Sequence, residues 1–355
     1  MAEGQRYRRR SLGPLVGASL LAPSLLRAQP TTELTSNERT LYEAAKSRRE
    51  QVTWYISHYS GETAEAIGRA FDETFQGVKV NVVRTTAQVA YQRLTQDMRA
   101  RVQNCDVFSV TDMGHFTELK ADGKLEKYTP EAAAHLIGPL RDVDPDGFYH
   151  TTSTGTVLIN FNAAKVKPED APRKWTDLLD PKWRNRIAVG HPSYSGYVGT
   201  WVVQMRKLYG WDYFKKLEAN KPQIGRSIND TVTMLNSGER WVGAGPGATT
   251  LNSAQRGNPL GVIYPEDGTL LMISPTAIIK GTRNPNAARL FFEFLLGKRT
   301  NQIHAEHFSD VVRSDVPPYR GAQDLGKVKV VRPTDQEIEG GIPEVKELWR
   351  DTFGV

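Results

Sequence analysis

The sequence predicts an α/β protein built as two domains, each a mainly parallel sheet flanked by helices. Three observations predict it. Apolar residues switch repeatedly between strand spacing and helix spacing from residue 50 onward. The alternation breaks off and resumes after Tyr149. The 327 residues left after a removable leader of 28 exceed one typical hydrophobic core.

In chain order, "ERTLYEAAKSRRE" has helical spacing and "VTWYI" reads as a buried strand. Ile67, Ala70, Phe71 and Phe75 then form one apolar face, opposite Glu65, Arg69, Asp72 and Glu73. "VKVNVV" alternates as a strand, and Tyr91, Leu94, Met98 and Val102 make the next helical stripe. "DVFSV" closes a β-α-β-α-β unit, the pattern of a parallel sheet. After Tyr149 come "TVLINF", "RIAVG", "YVGTWVVQMRKLYG" and "VGAGPG", a second such region. "TLLMISPTAIIKG" and the helical "NAARLFFEFLLGK" return to α/β packing, with no internal repeat and no low-complexity tract.

The ends set the compartment. Arg6, Arg8, Arg9 and Arg10 precede an uncharged stretch, 11–26, and then "LRAQP", the layout of an export signal cut after Ala28. Pro14 and Pro23 interrupt that stretch, which is too short for a membrane span. The general secretory and twin-arginine routes both stay open, because "RRRSL" fits the latter loosely. The chain has 46 Lys+Arg and 40 Asp+Glu, and removing the leader's five arginines and one glutamate leaves 41 and 39, a net of +2. The overall pI near 9.2 is thus mostly a property of the leader, and no basic run interleaved with aromatics suggests nucleic acid. Cys105, the single cysteine, can form no internal disulfide and reads as a small buried hydrophobe.

In open α/β sheets, ligands gather beyond the carboxyl ends of the strands, where loops enter helices. Here those loops are 57–61, 84–88, 111–114, 193–197 and 228–231. They nominate Ser57, His58, Tyr59, Arg84, Thr85, Thr86, Thr111, Asp112, Tyr194, Ser195, Gly196, Tyr197, Asn229 and Asp230 as ligand contacts. Hydroxyls, amides and helix N-termini there suit polar or anionic groups, although helix caps are needed in any case. Arg84 leaves its strand beside Thr85 and Thr86, and a guanidinium fork with two hydroxyls suits a carboxylate, phosphate or phosphonate.

Catalytic signals are weak, and no catalytic residue or cofactor is expected. "HPSYSG" places serines near His191 but lacks the elbow that exposes a nucleophile. "GAGPG" is neither a dinucleotide fingerprint nor a phosphate loop, so any ATPase must be a separate subunit. "HAEHF" sets His304 and His307 three apart on what reads as a surface helix, with no third metal ligand nearby. A secreted hydrolase is retained only as a minor alternative.

"LYEAAKSRREQVTWYISH", "CDVFSVTDMGHFTELKADGKLEKYTP", "RKWTDLLDPKWRNRIAV" and "VIYPEDGTLLMISPTAIIKGTRNPNAARLFFEFLL" resemble, in order and spacing, the extracytoplasmic solute-binding proteins of ABC importers. The similar branch contains ferric-iron-, thiamine-, polyamine- and phosphonate-binding members. The resemblance implies a two-lobe periplasmic-binding-protein fold of the type II kind, with the ligand cleft between lobes. Lobe one would be 50–152 plus 268–355, preceded by a segment and helix at 29–49, and lobe two 157–262. Crossings at 153–156 and 263–267 would form the hinge, bringing Glu266 to the cleft. The implied role is a periplasmic monomer that captures a small solute and delivers it to an inner-membrane ABC permease.

Ferric members of that family pair a residue of the first loop with two consecutive tyrosines after an "SGE" helix end. Here that stretch reads "SGERWVGAGPGATTLN", without tyrosine, so no metal is expected. Ferric iron remains the alternative ligand, and its protein donors would then be Tyr59, His58 and Tyr194.

Overall fold

A computed structural model describes residues 34–355, together with Met1; the expected leader lies otherwise outside the described residues. The first body opens with α1 (Ser36–Ser47), β1 (Val52–Ile56), α2 (Gly61–Thr74), β2 (Val80–Arg84), α3 (Ala87–Arg99), β3 (Val107–Ser109) and α4 (Met113–Ala121). A 13-residue strand, β4 (His150–Asn162), leads out of it. The second body holds β5 (Ile187–Val189), α5 (Gly196–Tyr209), α6 (Asp212–Ala219), β6 (Gln223–Ile224) and α7 (Asp230–Asn236). It continues through β7 (Val242–Pro246), α8 (Gly247–Gln255) and β8 (Leu260–Ile263). The chain returns along β9 (Thr269–Ile278) to α9 (Pro285–Leu296) and α10 (Lys298–Glu306), and ends with β10 (Val330–Val331) and α11 (Asp335–Phe353).

The strands form one continuous path, β2-β1-β3-β9-β4-β7-β5-β6, with β10 beside β9 and β8 beside β4. β1 is parallel to β2 and β3, and β5 is parallel to β6 and β7. β4 and β9 run antiparallel to each other, from His150 opposite Thr276 to Val157 opposite Leu270. This long pair carries the chain between two separate hydrophobic cores. One gathers Trp54, Phe71, Phe108, Phe116 and Phe291; the other gathers Trp175, Trp201, Phe214 and Trp349.

Local chemistry explains the starts of the helices that face the gap. Ser60 accepts from the Thr63 amide at 3.1 Å, Thr86 from that of Val89 at 3.4 Å, and Asp112 from that of Gly114 at 3.0 Å. Cys105 is buried, as its apolar run predicts.

Three expectations are corrected. Helix α11 does not belong to the first core: Val345 and Trp349, four apart, bury against the second, and Arg206–Glu344 and Lys207–Glu337 ion pairs of 2.7 Å tie it to α5. The return crossing runs in β9 rather than at 263–267. In that loop Tyr264 packs on the first core, while Asp267 accepts from the Trp175 amide of the second. Val102 lies beyond the end of α3 and is exposed, so it is no part of the predicted stripe.

Candidate functional site

Two cavities, of about 480 and 540 Å³, lie where the two bodies meet, and Tyr197 and Ser274 border both. Strand-to-helix loops from both bodies open onto them, as the parallel-sheet geometry requires. The smaller cavity collects Ser57, His58, Tyr59, Arg84, Ser195, Tyr197 and Asn229 of the nominated residues. The larger collects Thr86, Thr111, Asp112, Tyr194, Gly196 and Tyr197.

Thr85, Asp230 and Glu266 border neither. The Thr85 amide extends the β1–β2 pairing by donating to the Ile56 carbonyl at 3.0 Å. The Asp230 carboxylate accepts from the Ser227 amide at 2.9 Å and so holds the turn before α7. The Glu266 amide donates to the Arg173 carbonyl at 2.9 Å within the corrected loop.

The smaller cavity is the more polar of the two. Its floor is the crossing strand β4, where Ser153, Thr154, Gly155 and Thr156 face the loops of both bodies. Among the described residues Arg84 is the one Lys or Arg on its border, and Arg84 Nε donates to the Tyr59 carbonyl at 2.7 Å. That bond orients the guanidinium while leaving its other N–H groups for a ligand. The N-termini of α2 and α5, marked by Ser60 and Ser195, open onto the same space.

Tyr59 is less available than its position in the sequence suggests. It is 3 % exposed, and its hydroxyl donates to the Thr152 carbonyl of β4 at 3.0 Å. Burial pushes the phenol well above its usual range. Its ring lies 4.4 Å from that of His58 and 5.1 Å from that of His304. His304 is fully buried, which corrects the expected surface helix: α10 turns this residue toward Tyr59. Burial holds both histidines neutral, each pushed down to about 3, with a smaller contribution from His304 on His58 and from His307 on His304. None of their four ring nitrogens has a hydrogen-bond partner.

Tyr197 stands against the crossing strand. A Cβ at Gly155 would collide with Tyr197 Oη, so glycine is what lets α5 approach β4 here. Burial first, and the Asp310 charge second, push the Tyr197 phenol up to about 12. Tyr194, by contrast, is 63 % exposed, with Arg226 4.9 Å above its ring.

Sequence reasoning missed Asp310, which borders the smaller cavity from the irregular segment after α10. No spacing signal marks it. The hydroxyl run of β4 was legible in "TSTGT", read there as a crossing rather than as a wall. The larger cavity is bordered by Met272, Ile338 and Ile342 and by an Arg332–Asp335 ion pair, so its borders are more apolar and its charges partly paired.

Neither a metal centre nor a membrane element stands out. Among the described residues no three His, Cys, Asp or Glu side chains converge to hold a metal ion, and no helix is long and apolar enough to cross a membrane. His191 Nδ1 accepts from the Ser193 amide at 3.0 Å, a turn contact rather than a base beside a serine hydroxyl.

Comparison with known proteins agrees with this architecture. An uncharacterized protein of Haemophilus influenzae is 24% identical over 190 residues, 51% of this chain and only 55% of that protein. Iron uptake protein A1 of Synechocystis sp. is 23% identical over 304 residues, 79% of this chain and 81% of its own. A putative 2-aminoethylphosphonate-binding periplasmic protein of Salmonella paratyphi A is 25% identical over 254 residues, covering 68% and 72%. The periplasmic binding protein AfuA of Actinobacillus pleuropneumoniae, solved with fructose-6-phosphate, superposes with a TM-score of 0.68 at 22% identity, over 86% of this chain and 99% of that one. At such identity the superposition establishes the fold alone. The family model for bacterial extracellular solute-binding proteins matches residues 103–324, more than half of the chain. The chain belongs to the bacterial extracellular solute-binding proteins, the ligand receptors of ABC importers.

Proposed function

We propose that this protein is a periplasmic receptor that captures a small organic anion, a carboxylate, phosphonate or sugar phosphate, and delivers it to an ABC permease. The observation that carries the reading is Arg84, among the described residues the one Lys or Arg on the border of a polar cavity that helix N-termini also face. Closure of the two bodies about β4 and β9 supplies the mechanism. A ligand touching both bodies stabilises the closed state by its differential contacts. The permease and its ATPase are separate subunits, since this chain has no phosphate loop, and the cleft binds without turnover. The name of the Salmonella relative, a putative 2-aminoethylphosphonate-binding protein, supports the same class.

Ferric iron is the second reading, favoured by the name of the Synechocystis relative. The residues speak against it. Where ferric members carry two tyrosines, this cavity is bordered by Pro246, Ala248 and Thr249, and a Cβ at Gly247 would collide with Thr156. Tyr59 is a protonated, hydrogen-bonded phenol, and a trivalent ion needs several anionic oxygens to offset its lost hydration.

A thermal-shift panel across ferric citrate, carboxylates, phosphonates, sugar phosphates, polyamines and thiamine separates these readings. An anion at about 100 times its Kd should stabilise by ~2.7 kcal/mol, a shift of several degrees. The largest shift from a polyamine or thiamine overturns the anion class. One retained equivalent of iron with a visible tyrosinate band, after desalting, establishes the second reading instead.

A further inference from the structure

The smaller cavity holds a charge that an anion alone leaves unused. Five carboxylates are buried among the described residues: Glu50, Asp106, Asp144, Glu293 and Asp310. Four of them are fully engaged. Glu50 accepts from the Asn286 and Ala287 amides, and Asp106 from the Thr53 amide and from Asn284. Asp144 takes Lys120 and the Phe148 amide, and Glu293 takes Asn37, Tyr128 and the Glu131 amide.

Asp310 is the exception. It is 3 % exposed, and its hydrogen bond from Thr156 Oγ1 is long, at 3.5 Å. The phenols of Tyr197, Tyr264 and Tyr319 also stand near it, all held protonated, and the Tyr319 hydroxyl acts on it with that of Thr156. No ion pair among the described residues includes it. It is also the one buried carboxylate that borders either cavity. A carboxylate this deep with so few donors is costly, and each of the other four buried acids accepts from two or more groups.

We propose that Asp310 is a specificity-determining residue that receives the ammonium group of a zwitterionic ligand, whose acidic head meets Arg84. The ligand class is then a short amino-substituted phosphonate or carboxylate, and the ammonium replaces the cation that Asp310 lacks. Thr156 and Ser153 on the crossing strand offer further hydroxyls to the same group. This inference rests on the anion reading above and narrows it.

The test is calorimetric titration of the exported chain with 2-aminoethylphosphonate and with ethylphosphonate, in wild type and in Asp310→Asn. Wild type should bind the amino compound about tenfold or more tightly than its deaminated counterpart, and Asp310→Asn should reduce that ratio to about threefold or less. Equal affinities in wild type, or an unchanged ratio in the variant, overturn the proposal. If Asp310→Asn does not fold, the wild-type ratio alone decides. Binding of an anion that carries no ammonium group, in preference to amino-substituted phosphonates and carboxylates alike, overturns this proposal and leaves the anion reading standing. Binding of no anion at all overturns both.

Discussion

The two cavities share a wall and differ in chemistry. The smaller one is bordered by loops from the first and second bodies, by the hydroxyl-rich floor of β4, and by two opposed charges, Arg84 and Asp310. The larger one is bordered by Met272, Ile338 and Ile342, and its Arg332 is already paired with Asp335. Unpaired charge facing a cleft is a liability in a merely structural site and an asset in a receptor. On the proposed reading, recognition belongs to the smaller cavity.

The sharpest way to break this contrast is at Arg84. Arg84→Ala should weaken anion binding by ~2–5 kcal/mol, roughly 30- to several-thousand-fold, as measured by calorimetry. Arg84→Lys should recover part of the loss, because an ammonium keeps the charge but not the planar fork.

Asp310 gives the next effect, and its sign is fixed by linkage. Burial raises its carboxyl from the ordinary 3.8 to about 6, against the smaller opposing effect of the Tyr319 and Thr156 hydroxyls. Between those values the folded protein holds a proton that the unfolded chain has released. Stability from this group therefore falls as pH rises from about 4 to about 6 and stays low above that. Its phenolic neighbours keep their protons throughout this range and add nothing. The ligand-free Asp310→Asn protein should melt higher than wild type at pH 8, by up to ~3 kcal/mol, with the gap closing toward pH 4. A constant gap, or a lower melting point at pH 8, would remove Asp310 as a strained carboxylate.

Gly155→Ala is smaller. A methyl there meets Tyr197 Oη and should cost ~1–3 kcal/mol of stability through overpacking, with ligand binding weakened in step because both cavities are reshaped. Tyr194→Ala should be the smallest. The side chain is exposed, borders the larger cavity, and should change affinity for an anionic head group by about threefold or less. A tenfold loss at Tyr194 would reverse the ranking of the two cavities.

Much of the fold was readable because it rests on periodicity. "VTWYI" is β1 to the residue, and Ile67, Ala70, Phe71 and Phe75 are buried as their spacing requires. Parallel sheets send strand-end loops to one edge, and twelve of the fifteen nominated residues border a cavity, a position that leaves their contact with a ligand to the tests above. Their roles were harder to read. Tyr59 looked like a ligand donor, yet the carbonyl it meets belongs to Thr152, 93 positions away. His304 looked exposed because α10 is rich in polar residues, but tertiary packing against Tyr59 overrides that composition. Asp310 was illegible because an irregular segment carries it to β4, and no local pattern records a contact made 154 positions apart. Helix α11 escaped its expected lobe for the same reason: Val345 and Trp349, with Ile342, Phe353 and the two ion pairs to α5, decide where it docks.

The most direct test of the central claim is a crystal structure of the protein with the tightest-binding anion from the thermal-shift panel. The account predicts the anionic head in the smaller cavity, its oxygens ~2.7–2.9 Å from the Arg84 guanidinium, with residues of both bodies closed around it. An anion seated in the larger cavity with Arg84 free in solvent would contradict it.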